Sequence, residues 1–135
     1  MKLFEIFKSR YQWEKHESST VVRYSFITDT GQQYKVIFQK VTPLEWELSF
    51  HQMGSEGPER GITKTRDAFK IFSTVIDTLR DFSVTSSAST ITFEAKEPSR
   101  INLYDKLVQS LELGWKLVDI SINNDGAKTY TLMRK

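Results

Sequence analysis

Between Val21 and Phe50 the chain alternates apolar and polar residues with a period of two, and it does so three times. Val22, Tyr24 and Phe26 are separated by Arg23 and Ser25. Tyr34, Val36 and Phe38 are separated by Lys35 and Ile37, and Trp46, Leu48 and Phe50 by Glu47 and Ser49. A strand turns successive side chains to opposite faces, so each run predicts a half-buried β-strand. Asp29-Thr30-Gly31-Gln32 predicts a turn, because Gly31 can supply the positive φ of a tight reversal. Pro43 interrupts the chain before the third run. Three consecutive strands with short connections predict an antiparallel meander.

Past a glycine-rich polar loop over 53–66 the period changes. Ala68, Phe72, Val75, Ile76, Leu79 and Phe82 fall on one helical stripe, with Lys70, Asp77, Arg80 and Asp81 opposite. Thr63 or Thr65 can cap this helix, and Asp67 suits its first turn. A Ser/Thr linker over 83–89 leads to Ile91 and Phe93, a strand short enough to be central and buried. A second helix is expected from Pro98, with Ile101, Tyr104, Leu107, Val108 and Leu111 inward and Gly114 as a left-handed cap. Trp115 to Ile122 and Ala127 to Met133 predict a hairpin across Asn123-Asn124-Asp125-Gly126. Residues 1–19 are ambiguous: Leu3, Phe7 and Tyr11 recur at helical spacing until Trp13 and the charges after it break the pattern. A short helix or an arm packing on the body over 20–135 is expected there. A strand-helix-strand passage needs a crossover, so the whole predicts an α/β (α+β) domain with a single mixed, mostly antiparallel sheet and two main helices.

With 135 residues the chain is expected to form one domain, 1–135. It contains no cysteine, which removes disulfide frameworks, thiolate metal sites and cysteine nucleophiles together. Its two histidines, His16 and His51, argue against a multi-histidine metal site. Nineteen Lys and Arg against 17 Asp and Glu leave a net charge of +2, too small to point to nucleic acid or an anionic membrane as partner. No stretch approaches the length of an apolar membrane span. The start, Met1 to Lys8, carries a charge within its apolar run and no small-residue cleavage site, so a signal peptide is not expected and a cytoplasmic location is.

The segment Gly61-Ile62-Thr63-Lys64-Thr65-Arg66 precedes the first helix. A helix N-terminus presents unpaired N–H groups and partial positive charge, so an anion can dock there, and Lys64 and Arg66 would add full charges. The same residues also read as a solvated basic loop with a threonine cap.

The run Glu97-Pro98-Ser99-Arg100-Ile101-Asn102-Leu103-Tyr104-Asp105-Lys106-Leu107, closing with Gly114-Trp115, resembles the C-terminal half of the GNAT superfamily of N-acyltransferases. Pro98, Ile101, Leu103, Tyr104, Lys106, Leu107, Gly114 and Trp115 match that pattern, and the element order over 20–135 fits the same fold. Ile62–Val75 taken with Glu97–Leu107 is also similar to small uncharacterised proteins of tailed bacteriophages, which would place the chain in a host cytoplasm.

The resemblance implies that a cofactor pyrophosphate would lie on the backbone of Gly61, Ile62, Thr63, Lys64, Thr65 and Arg66. Tyr104 would protonate the departing thiolate, and Glu47, or Glu45, would take the proton of the attacking amine. The cofactor would be acetyl-CoA or another acyl-CoA. Two features depart from the pattern. Positions 63–66 are Thr-Lys-Thr-Arg, where close approach to a pyrophosphate favours glycine. Only about twenty residues precede the first clear strand, too few for the usual helices around an acyl acceptor. The first reading is therefore a non-catalytic phage-type accessory or binding protein on a degenerate GNAT-like fold, with no cofactor. It would act through a protein partner or an anionic small ligand at Lys64 and Arg66. The second is an acyl-CoA-dependent N-acyltransferase. Tyr104 also reads as a core aromatic, Glu45 and Glu47 as solvent-facing strand residues, and Trp13, Trp46 and Trp115 as core rather than a base-stacking platform.

Overall fold

A computed structural model describes residues 10–53, 66–95 and 114–134. Seven strands form one sheet: β1 (Trp13–Glu17), β2 (Val21–Ile27), β3 (Gln33–Lys40), β4 (Glu45–Met53), β5 (Thr90–Ala95), β6 (Trp115–Ile122) and β7 (Lys128–Arg134). The spatial order is β1-β2-β3-β4-β5-β7-β6. Every neighbouring pair is antiparallel except β4 and β5, which are parallel and joined through the helix α1 (Arg66–Thr85).

The three period-two runs are strands β2, β3 and β4, and their alternating residues Val22, Tyr24, Phe26, Tyr34, Val36, Phe38, Trp46, Leu48 and Phe50 are buried on the face that α1 covers. Tyr24, Val36, Phe38, Leu48, Ile91, Tyr130 and Leu132 are buried there with Ile71, Val75, Leu79 and Phe82 of the helix. Phe82 anchors the two layers, stacked on Phe38 with centroids 4.1 Å apart and set edge-on to Trp46 at 5.2 Å. The opposite face carries Arg23, Lys35, Ile37, Glu47, Ser49, His51 and Thr92, all half-buried or exposed. The β2–β3 turn forms as expected: Gly31 has a φ of 84° and donates its N–H to the Thr28 carbonyl at 2.9 Å. Gly126 plays the same part in the terminal hairpin, with a φ of 88°.

One expectation is corrected, and one side of the helix gains a role. The N-terminal region is not helical where it is described: Trp13–Glu17 is an edge strand in register with β2, from Trp13↔Phe26 to Glu17↔Val22. It joins β2 through a tight turn in which Ser18 donates its N–H to the Val21 carbonyl at 2.8 Å. The side of α1 opposite its apolar stripe also takes part in packing. Asp77 accepts from the Trp13 indole N–H at 2.8 Å and pairs with Arg10 at 3.2 Å, while Asp81 accepts from the Tyr24 hydroxyl and from Lys15 Nζ, both at 2.8 Å. Spaced four apart, the two carboxylates lie on one side of the helix and clamp β1 and β2 to it. The described residues contain one helix; the second expected helix falls within 96–113, outside them.

Candidate functional site

The parallel register of β4 and β5 runs from Glu45↔Thr90 to Leu48↔Phe93 and stops there. Beyond it both strands continue. Ser49 to Met53 stay paired with β3, from Ser49↔Ile37 to Met53↔Gln33, while Glu94 and Ala95 stay paired with β7 at Thr129 and Lys128. The two strands therefore part, and among the described residues no strand pairs with the inner edge of Ser49–Met53. A place where neighbouring strands of a sheet part can take up an extended guest.

The parting has two chemically distinct sides. Towards α1 lie Phe50, buried and stacked on Tyr34 at 5.2 Å, and Phe93, stacked on Tyr130 at 5.0 Å. Away from α1 lie Ser49, His51 and Glu94, whose carboxylate accepts from Asn123 Nδ2 at 3.0 Å. Helix α1 begins at the same end of the sheet, since Lys70 in its second turn lies 3.4 Å from Asp29 in the β2–β3 turn and 4.2 Å above the Tyr11 ring. The carboxyl ends of parallel strands and the N-terminus of the connecting helix thus meet at one place, where α/β sheets take up ligands and where helix dipoles favour anions.

Of the site residues expected from sequence, Glu47 is exposed on the face away from α1, one position before the strands part, between Gln39 and Thr92. Glu45 is half-buried beside Thr90. Arg66 opens α1. Gly61, Ile62, Thr63, Lys64, Thr65 and Tyr104 lie outside the described residues. His51 and His16 are both exposed. The tryptophans form no platform: Trp46 and Trp115 are buried, Trp115 donating its indole N–H to Ser83 Oγ at 2.6 Å, and Trp13 packs edge-on against Tyr24 at 5.0 Å. Among the described residues no group of histidines and carboxylates is arranged to hold a metal, and no helix is long and apolar enough to cross a membrane.

The sequence reading missed the polar seam of Asp77 and Asp81. Burial, and then the Asp81 carboxylate that accepts its proton, hold the Tyr24 phenol above its ordinary pKa. The available signal was the four-residue spacing of two aspartates beside the period-two pair Trp13 and Lys15. A cavity of about 450 Å³ opens near the start of β1 between Arg10, Tyr11, Phe26, Asp29 and Lys70. Its two cations are already ion-paired, Arg10 with Asp77 and Lys70 with Asp29, which leaves it little net charge for a ligand.

The fold is that of GNAT acetyltransferases. The chain superposes on an acetyltransferase of Bacillus subtilis, solved in complex with CoA, with a TM-score of 0.56 at 11% identity, covering 93% of this chain and 99% of that one. It superposes on the N-acetyltransferase PseH of Campylobacter jejuni with a TM-score of 0.52 at 10% identity, covering 87% and 71%. At such identities the likeness is one of fold. No curated protein sequence matches the chain. Residues 8–126 match a family described only as a family of unknown function, DUF6934, and the chain belongs to that family.

Proposed function

We propose that the chain is a non-catalytic binding protein on a GNAT-like fold, taking a pyrophosphate-bearing ligand of the acyl-CoA class where β4 and β5 part. The parting of the strands beyond Leu48↔Phe93, at the end of the sheet where α1 begins, carries this reading. The pantetheine of such a ligand would lie along the parting of β4 and β5, and its phosphates would be met by Lys64 and Arg66 as counter-charges. Loss of transfer is supported by the tight β1–β2 turn, Ser18 to Thr20, which leaves no helical cover for an acceptor between these strands. The exposed position of Glu47 supports it too. The role would be that of a phage-type accessory protein, working through a protein partner.

Calorimetry with CoA and acetyl-CoA tests the binding. Both should bind, and a ligand at a hundred times its dissociation constant should stabilise the fold by about 2.7 kcal/mol. Lys64→Ala with Arg66→Ala should weaken both; absence of binding at millimolar ligand would end the reading. Thiol release from acetyl-CoA in the presence of amines separates the second reading, the N-acyltransferase. There Glu47 would accept the amine proton and Tyr104 would protonate the leaving sulfur. Amine-dependent thiol release, slowed by Tyr104→Phe with affinity kept, would establish the transferase instead.

A further inference from the structure

The outer edge of β6 is an eight-residue strand end of the sheet, and it keeps its apolar residues in water: Ile120 is 44% and Ile122 72% exposed. Native edges are usually blunted by charge or irregularity. Here the irregularity, a register shift between Leu117 and Asp119, lies at the start of the strand and leaves 119–123 regular. Asn123 donates its N–H to the Ala127 carbonyl at 2.7 Å, and β6 pairs with β7 at Asp119↔Thr131 and Ser121↔Thr129. Bonds to a neighbouring antiparallel strand fall on alternate residues, so those of 123, 121 and 119 point to β7. The N–H and C=O groups of Ile122 and Ile120 point outward.

The sequence of this edge, Asp119-Ile120-Ser121-Ile122-Asn123, reads nearly the same in both directions about Ser121. We infer that it is a two-fold interface whose occupant is a second copy of this chain, added antiparallel to β6. With the axis at Ser121, each Ile120 meets Ile122 of the second copy and the outward backbone groups of both residues are paired. Asp119 then faces Asn123 of the second copy, not a like charge. Further along, Lys116 comes level with the Asp125–Gly126 turn of the second copy, an opposite charge at each end of the seam. Such a contact is self-complementary, as a closed two-fold dimer requires. The other edge lacks this property: pairing β1 with itself about Lys15 would set two lysines face to face.

Sedimentation velocity of the full chain across the micromolar range should show a monomer–dimer equilibrium, and Ile122→Lys should shift it to monomer with the circular dichroism spectrum unchanged. The chain has no cysteine, so Ser121→Cys introduces a single thiol. Across a two-fold axis this position forms a non-hydrogen-bonded pair with Cα atoms about 4.5 Å apart, within disulfide reach. Ser121→Cys should therefore give a disulfide-linked dimer on mild oxidation, while Ser18→Cys, in the β1–β2 turn, should form no such link. A monomer at every concentration overturns the inference. So does a dimer that survives Ile122→Lys and that Ser121→Cys does not link. If Ile122→Lys fails to fold, judged by circular dichroism, the Ser121→Cys link decides alone.

Discussion

Replacing Asp77 with alanine tests whether the charged side of α1 is a seam or a surface. Asp77 accepts a hydrogen bond from the Trp13 indole at 2.8 Å and an ion pair from Arg10 at 3.2 Å, through the same oxygen. Its side chain is 12% exposed, against 38% for Arg10. The exposed cation is screened by water, so that pair contributes only about 0–1 kcal/mol. The indole bond is charge-assisted and partly buried, and losing it costs about 1.5–3 kcal/mol, because the N–H is left without an acceptor. Asp77→Ala should therefore destabilise by about 2–3 kcal/mol, or roughly 10 °C in a domain of this size. Trp13→Phe keeps much of the ring contact with Tyr24 but removes the donor. A double-mutant cycle of the two changes, by urea unfolding, should give a coupling of about 1–2 kcal/mol. Asp77→Asn, which still offers an oxygen, should lose less than Asp77→Ala. A coupling near zero, with Asp77→Ala within about 0.5 kcal/mol of the parent as expected for a surface site, would refute the seam.

The Tyr24 phenol gives an alkaline signature. An unfolded tyrosine ionises near 10, whereas the folded protein holds this proton to higher pH. Above about pH 10 the unfolded chain then binds fewer protons than the folded one. Stability should fall by about 1.4 kcal/mol per pH unit from this group, with no contribution below pH 10. Tyr24→Phe should flatten the curve by that slope; equal slopes in both proteins would show the phenol titrating alike in the two states. Phe82→Ala empties the contact between Phe38 and Trp46 and should cost about 3–5 kcal/mol in urea unfolding, a loss under about 1 kcal/mol being incompatible with its place in the core. Continued pairing would set Ser49 opposite Glu94, so Ser49→Cys combined with Glu94→Cys reports on the gap. No disulfide should form on mild oxidation, because separated strands hold the two positions out of reach, and ready formation would show the sheet closed there.

How much of the fold could be read from sequence depended on whether each inward position was apolar. Strands β2, β3 and β4 were legible because aromatic and branched residues occupy every second place. The strand β1 was not. Its inward positions are Trp13, Lys15 and Glu17, and a lysine facing the helix conceals the period. Lys15 is tolerated there only because Asp81 and Thr85 receive its ammonium at 2.8 and 3.1 Å, and those acceptors lie about seventy residues away. The same long-range pairing hid the role of Asp77 and Asp81. On a helical wheel they look like a hydrated face, and only the arrival of Trp13, Lys15 and Tyr24 makes them interior acceptors.

The gap at the candidate site was illegible for a different reason. Trp46, Leu48 and Phe50 alternate without a break through the point where β4 leaves β5, because the helix-covered face of β4 stays buried on both sides of that point. Strand length does not explain the parting either. β5 continues for two residues past Phe93, so Glu94 had a partner available in Ser49, yet only the outer pairs persist, Glu94 with Thr129 and Ser49 with Ile37. Past Leu48↔Phe93, β4 stays with β3 to the end of the meander, while β5 stays with β7 in the terminal hairpin. A local pattern cannot encode that parting, because it lies between two antiparallel units that share one short parallel seam. Ser49, His51 and Glu94 take their place at the rim from that parting, and any ligand held there would bind to both units at once.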